Sequence, residues 1–251
     1  MMKPASFLGK ILPIKKEEKE FFLALEIKSR QVKAAVWQKE KEKISLINIG
    51  EASSGGDWEE MIQAADEAVV AASGNVPQEK IEKVILGLPQ DWTEGNKIIA
   101  PHLSNLKTLC QKLALKPLGF VVIPEAIVNY LKQMEGIPPT ALLIGPDGNS
   151  FTLTLVKGGK IEETRVVKKE EGKKIPEQIE ETLSELDVEI LPSRILLYNG
   201  NGELEQLKDN LFSHRFSEKL PFLHLPKIEI LDKNFDIKSL AMSSGIQMGI
   251  D

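Results

Sequence analysis

Between residues 21 and 50 the apolar positions fall in three short runs, Phe21–Ile27, Val32–Trp37 and Ile44–Ile49, separated by the polar stretches KSRQ and KEKEK. Runs of this length with polar breaks predict three consecutive strands, a β-meander. The period then changes. Trp58, Met61, Ile62, Ala65, Ala68, Val69 and Ala72 recur at helical spacing; Asp57 and Glu60 make a capping-box start, and Gly74 supplies a stop. KVILGLP (83–89) is almost continuously apolar and predicts a strand covered on both faces. LSNLKTLCQKLAL predicts a helix with Leu103, Leu106, Leu109, Cys110 and Leu113 on one face. LGFVVIP reads as another buried strand and EAIVNYLKQ as the helix after it.

The short linker GIPPT (136–140) marks a boundary, after which the pattern begins again. Strands are expected at about 141–145, 149–157 and 160–168, a helix at 176–186, a buried strand at 194–199 and a helix at 203–212. KIEIL is then a strand and IKSLAMSSGIQMG a last helix. Two successive units of three meandering strands followed by alternating helices and strands form an internal structural repeat. They predict an α/β fold of two similar lobes, each a mixed sheet flanked by helices, with a ligand cleft between them. The expected division is a flexible tail over 1–20, a first lobe over 21–136 and a second over 140–251.

Composition narrows the function. A net charge of −5 argues against a nucleic-acid binder, which would carry a basic field. The single cysteine, Cys110, excludes an internal disulfide framework and fits a reducing, cytoplasmic compartment. His102, His214 and His224 have no partner at metal-ligand spacing, so no metal site is assigned. No apolar run approaches transmembrane length. SFLGKILPIKK (6–16) sets Phe7, Leu8, Ile11 and Leu12 among lysines, which suits a frayed tail or a peripheral membrane or partner contact.

The stretch ALLIGPDGNSFTLTLVKGGKI (141–161) frames the functional question: a tight turn between buried strands is a plain hairpin or a phosphate cradle. Taken with the meander, VILGLP, PLGFVVIPEAIVNYL, PSRILLYNGNGELEQL and SLAMSSGIQMG, it resembles the actin-like ATPase superfamily, nearest its FtsA and PilM branch, over most of residues 20–249. The resemblance implies a duplicated ribonuclease H-like fold. It implies nucleotide binding, as ATP with Mg²⁺, through a D-x-G-type turn in the first hairpin, a D-x-G-G-type turn in the second lobe and a glycine-rich strand-to-helix turn.

Each motif departs from the family's pattern. In the first, Glu26 stands for the aspartate and Lys28 for the glycine, with Ser29 beside it, while Val32 and Lys33 fit. A lysine backbone reaches the dihedrals for close phosphate approach less easily than glycine, although its ammonium could meet an anion. In the second, the aspartate position is Gly145, Pro146 follows, and Asp147 falls on the first glycine; Gly148, Asn149 and Ser150 still suit a phosphate turn. The third, Asn199-Gly200-Asn201-Gly202, is the best kept. The implied nucleotide-binding set is therefore Lys28, Ser29, Gly148, Asn149, Ser150, Gly200, Asn201 and Gly202, with Glu26 and Asp147 as the candidate catalytic carboxylates.

Three functions follow from the resemblance. The first is a pseudo-ATPase scaffold docking a membrane-associated assembly protein or peptide at the cytoplasmic face of a pilus or division machinery. In PilM-like relatives such a peptide docks on the first lobe, where this chain places Trp37, Trp58 and Trp92; the alternative is that all three are core. The second is an active ATP hydrolase using Glu26 and Asp147. The third, a sugar or acetate kinase-like phosphotransferase, lacks a nameable base or substrate pocket. The short stretches at 91–118 and 169–191 leave a shallow cleft and favour the scaffold.

Overall fold

The computed structural model describes residues 19–40, 43–77, 80–199 and 203–247. Residues 1–18 of the proposed tail and the turn Gly200, Asn201 and Gly202 lie outside these residues, and Glu20, given to the tail, opens the first strand.

The predicted meander is present as β1 (Glu20–Ile27), β2 (Gln31–Glu40) and β3 (Lys43–Ser53), paired antiparallel. Helix α1 (Trp58–Ser73) starts where its cap predicts, the Asp57 carboxylate accepting from the Glu60 N–H at 2.9 Å. Strand β4 (Lys83–Leu88) runs parallel to β1. A one-turn 3₁₀ segment (Gln90–Trp92) and a small ribbon, β5 (Thr93–Glu94) and β6 (Lys97–Ile98), precede α2 (Ala100–Lys112). Strand β7 (Lys116–Val122) and helix α3 (Ile123–Glu135) end the unit.

The second unit repeats the first: β8 (Ala141–Asp147), β9 (Ser150–Lys157), β10 (Lys160–Lys168), α4 (Ile175–Ser184), β11 (Arg194–Leu197), α5 (Glu203–Ser213), β12 (Lys227–Ile230) and α6 (Phe235–Gln247). The sheets have equivalent orders, β3-β2-β1-β4-β7 and β10-β9-β8-β11-β12. In each, antiparallel pairing becomes parallel at the central strand. The molecule thus has two mixed sheets flanked by helices, as the repeat predicts.

One expectation is corrected. LGFVVIP was expected as a strand buried on both faces, but β7 is an edge strand hydrogen-bonded to β4 alone. Lys116 to Gly119 are exposed, Leu118 by 46%; burial begins at Val121. An apolar run looks the same on an edge whose side chains line a surface groove as it does inside a sheet. The helix after it also begins earlier, at Ile123, with Pro124 in the first turn, where a missing N–H costs nothing.

Strand alternation distributes the core. Leu23, Leu25 and Ile27 face outward onto α1 and α2, and Leu142 and Ile144 face outward onto α4 and α5. Phe22, Ala24, Ala35 and Trp37 face inward, as do Ala141, Leu143 and Leu196 of the second sheet. Between these inner faces lie α3 and α6, sharing one core with both. Each fully buried Leu, Ile or Phe contributes roughly 1.5–3 kcal/mol over its exposed state, so this shared layer binds the sheets strongly. Helix α6, last in the described chain, packs on α3 and on β1, β2, β3 and β4 of the first sheet. The Ser243 hydroxyl also donates to the Ala126 carbonyl at 3.0 Å.

Candidate functional site

Ligands of open α/β sheets sit outside the carboxyl ends of parallel strands, where strand order reverses. Here those ends belong to β1, β4, β8 and β11, and the two hairpin turns face each other across the gap.

The inward stripe of the first hairpin changes character along its length. Phe22 and Ala24 on β1, and Trp37 and Ala35 on β2, are apolar; toward the turn they give way to Glu26, Lys28 and Lys33. All three charged side chains are buried, Glu26 completely. They converge on Asp236 in the first turn of α6, itself 1% exposed. The Lys28 ammonium lies 2.9 Å from Glu26 Oε1 and 2.5 Å from Asp236 Oδ2. Lys33 Nζ donates to Asp236 Oδ1 at 3.1 Å and Oδ2 at 2.8 Å. The Asp236 carboxylate also accepts from the Ile237 N–H at 2.8 Å.

Burial pushes the Glu26 carboxyl up to about 7, and the Asp236 charge adds to this; Lys28 and Lys33 only partly offset it. Neither of its oxygens has a hydrogen-bond partner among the described residues; Oε1 meets Lys28 as an ion pair. Burial acts on Asp236 in the same sense, but the two lysines outweigh it and hold that carboxyl well below the usual range. Burial works against the Lys28 ammonium, and Glu26 and Asp236 overcome it, holding its pKa above the ordinary lysine value.

The second lobe closes on the same point. Asn199, in a left-handed conformation at φ 68°, accepts from Lys28 Nζ through Oδ1 and donates through Nδ2 to the Pro146 carbonyl at 2.9 Å. Its neighbour Tyr198 is buried, with its ring over Gly145. A Cβ at Gly145 would lie 2.6 Å from Tyr198 Cε2, so the space for an aspartate there is taken by the tyrosine.

The two turns touch directly. The Ser29 hydroxyl donates to Asp147 Oδ1 at 2.6 Å and its N–H to Oδ2 at 3.3 Å. Gly148, at φ 55°, packs so closely that a Cβ would come within 2.8 Å of Ser29 Oγ. Ser150 donates to the Asp147 carbonyl, and the Asn149 and Gly148 carbonyls accept from Lys169. Among the described residues a pocket of about 120 Å³ lies at this gap, lined by Lys28, Arg30, Pro146, Asp147, Asn199 and others. Small-molecule sites usually measure about 300–1,000 Å³.

The structure therefore brings Glu26, Lys28, Ser29, Asp147 and Gly148 together, with Asn149 and Ser150 in the adjoining turn. As the described residues stand, ATP with Mg²⁺ does not fit: a lysine ammonium stands between the carboxylates, and a serine–aspartate contact closes the gap between the turns. Sequence reasoning missed Asp236 and Tyr198. The available signals were a lone acid opening the apolar last helix and charged residues inside otherwise buried strands.

No family model matches the sequence, and no curated protein matches it. Solved structures do match. The PilM–PilN type IV pilus biogenesis complex aligns over 91% of this chain and 98% of that one, with TM-score 0.60 and 11% identity. A Bacteroides thetaiotaomicron protein of actin-like ATPase fold and unknown function aligns over 89% and 96%, with TM-score 0.57 and 7% identity. This chain has the actin-like ATPase fold. The ethanolamine utilization protein EutJ of Carboxydothermus hydrogenoformans also matches, over 89% of each chain, with TM-score 0.56 and 12% identity. Identities this low establish the actin-like fold alone.

On the first lobe, Trp37 is fully buried and stacks on Phe22 at 4.4 Å, whereas Trp58 and Trp92 are half-buried and 5.6 Å apart. Trp92 stacks flat on His102 at 4.3 Å. Near them an apolar groove of about 230 Å³ runs between α2 and the β7 edge, lined by Ile98, Leu103, Leu106, Cys110, Leu118 and Phe120 among others. Among the described residues no helix is long and apolar enough to cross a membrane.

Proposed function

We propose that this protein is an actin-fold pseudo-ATPase: a scaffold whose interlobe cleft is filled by its own side chains and which docks a partner at the cytoplasmic face of a membrane assembly. The observation that carries the reading is the Lys28 ammonium lodged between Glu26, Asp236 and Asn199. Glu26 and Asp147, the candidate carboxylates of an active ATPase, are committed to Lys28 and Ser29. The division into lobes at 21–136 and 140–251 is part of this proposal.

The docking surface we assign is the α2–β7 groove, where Leu103 and Leu118 are 37% and 46% exposed beside the Trp58–Trp92–His102 cluster. Support for a peptide or protein partner comes from the PilM–PilN likeness, since that neighbour is itself a two-component complex. Calorimetric titration with ATP and Mg²⁺ tests the cleft, with no binding heat expected; saturable binding would return the chain to the ATPase reading. A photo-crosslinker at Leu118 tests the groove. It should capture one membrane-assembly component, and Leu118→Asp should abolish that capture while leaving the melting temperature nearly unchanged.

A further inference from the structure

The three oxygens around Lys28 Nζ come from three separate parts of the chain: Glu26 on β1, Asn199 after β11 and Asp236 on α6. An ammonium has three donors and no acceptor; Asn199 and Asp236 each accept a hydrogen bond from it, and Glu26 meets it as an ion pair at 2.9 Å. Two of the oxygens are also held independently of Lys28, while the β1–β2 ladder fixes the Glu26 backbone opposite Lys33. Asn199 is anchored through its amide to the Pro146 carbonyl at 2.9 Å, and Asp236 by Lys33 and the Ile237 N–H. On its Asn199 and Asp236 sides the receptor is held in place without Lys28.

We propose that the floor of the interlobe cleft is an ammonium-recognition site, which this chain satisfies intramolecularly with Lys28. Its ligand class is a primary alkylammonium ion. The inference deepens the reading of a self-filled cleft and rests on it. A divalent metal suits the site poorly. Mg²⁺ demands near-octahedral oxygen ligation at about 2.0–2.1 Å, and Lys33 already places a fixed positive charge on Asp236. A quaternary ammonium suits it no better, having no N–H to give Asn199 and Asp236.

Lys28→Ala removes the side chain from Cγ to Nζ, the equivalent of one n-propylammonium ion. The variant should melt below the wild type, and n-propylammonium should restore it by roughly 5 °C at about a hundred times its dissociation constant. Tetramethylammonium and sodium at matched ionic strength should restore nothing, and the wild type should respond to none of these ions. Equal responses to propylammonium and tetramethylammonium, or a larger response to Mg²⁺, would overturn the assignment.

Should Lys28→Ala not fold, the wild type still decides the matter. A buried ammonium hydrogen-bonded to Asn199 and Asp236 exchanges its protons slowly, so the Lys28 ¹⁵Nζ resonance should persist at neutral pH and be missing from Lys28→Met. Its absence in the wild type counts against the site. Titration of wild type with ATP and Mg²⁺ remains a separate arm. Binding there would defeat the proposed function, whereas failure of amine rescue and of the ammonium resonance would defeat this inference alone.

Discussion

Ser29 and Asp147 join the two hairpin turns: a hydroxyl from the first donates to a carboxylate from the second at 2.6 Å, with a backbone N–H beside it at 3.3 Å. The contact spans the gap that a phosphate chain would have to enter. It is solvent-exposed, so its energetic worth is small. Asp147→Ala should lower the melting temperature by about 2–4 °C, the scale of a hydrogen bond worth about 1 kcal/mol. Phosphate release from ATP should stay at background in both proteins. Release by the wild type that disappears in Asp147→Ala would establish an ATPase.

Glu26 makes stability depend on pH around neutrality. Its folded pKa of about 7 lies above the ordinary value of 4.5, so the folded state holds the proton more tightly than the unfolded chain. That contribution is fully present below 4.5 and is lost as pH rises to about 7, on the order of 3 kcal/mol in total. Urea unfolding between pH 5 and 8 should show falling stability in the wild type and a flatter profile in Glu26→Gln. Parallel profiles would rule out this role for Glu26.

Asp236 is the hub of the buried charges. Asp236→Ala leaves two buried lysines facing Glu26 alone, and removing one partner of a buried pair typically costs about 3–5 kcal/mol. Lys33→Met in the same chain should recover part of the loss, because it removes one of the stranded charges. A double-mutant cycle by denaturant unfolding would read the coupling; additive effects would show that Lys33 and Asp236 do not act as a pair.

Gly145 is set by Tyr198. Gly145→Asp should be strongly destabilising, because its Cβ would meet the tyrosine ring and its carboxylate would enter the buried charge cluster. Tyr198→Ala with Gly145→Asp should be more stable than Gly145→Asp alone. Thermal melts of the two variants give the comparison; no recovery would mean that sterics at Tyr198 are not what excludes the side chain.

Much of the fold was legible because each element buries a face at its own period. The run from Trp58 to Ala72 could only satisfy a helix, and KVILGLP and RILL only strands inside a sheet. β7 was misread because apolar content does not separate a central strand from an edge strand beside a groove. The site was legible by halves. Glu26, Lys28 and Asp147 stand out as departures from a pattern. Asp236, 208 residues from Lys28 in the chain, does not, because nothing local announces which turn its carboxylate will meet. Tyr198 escaped notice because its effect is volume, which no spacing reveals.

The position of α6 bears on how the protein is made. Synthesis delivers β1, β2 and β4 early, but the helix that covers much of their inner face comes at the far end of the described chain. Until it emerges, Phe22, Trp37 and their neighbours have no complete cover, and the nascent first half presents an open apolar sheet. Such surfaces are where partly made chains associate wrongly. A truncation before Phe235 should therefore yield not a smaller folded unit but an aggregating one, because the inner sheet faces lose the helix that covers them.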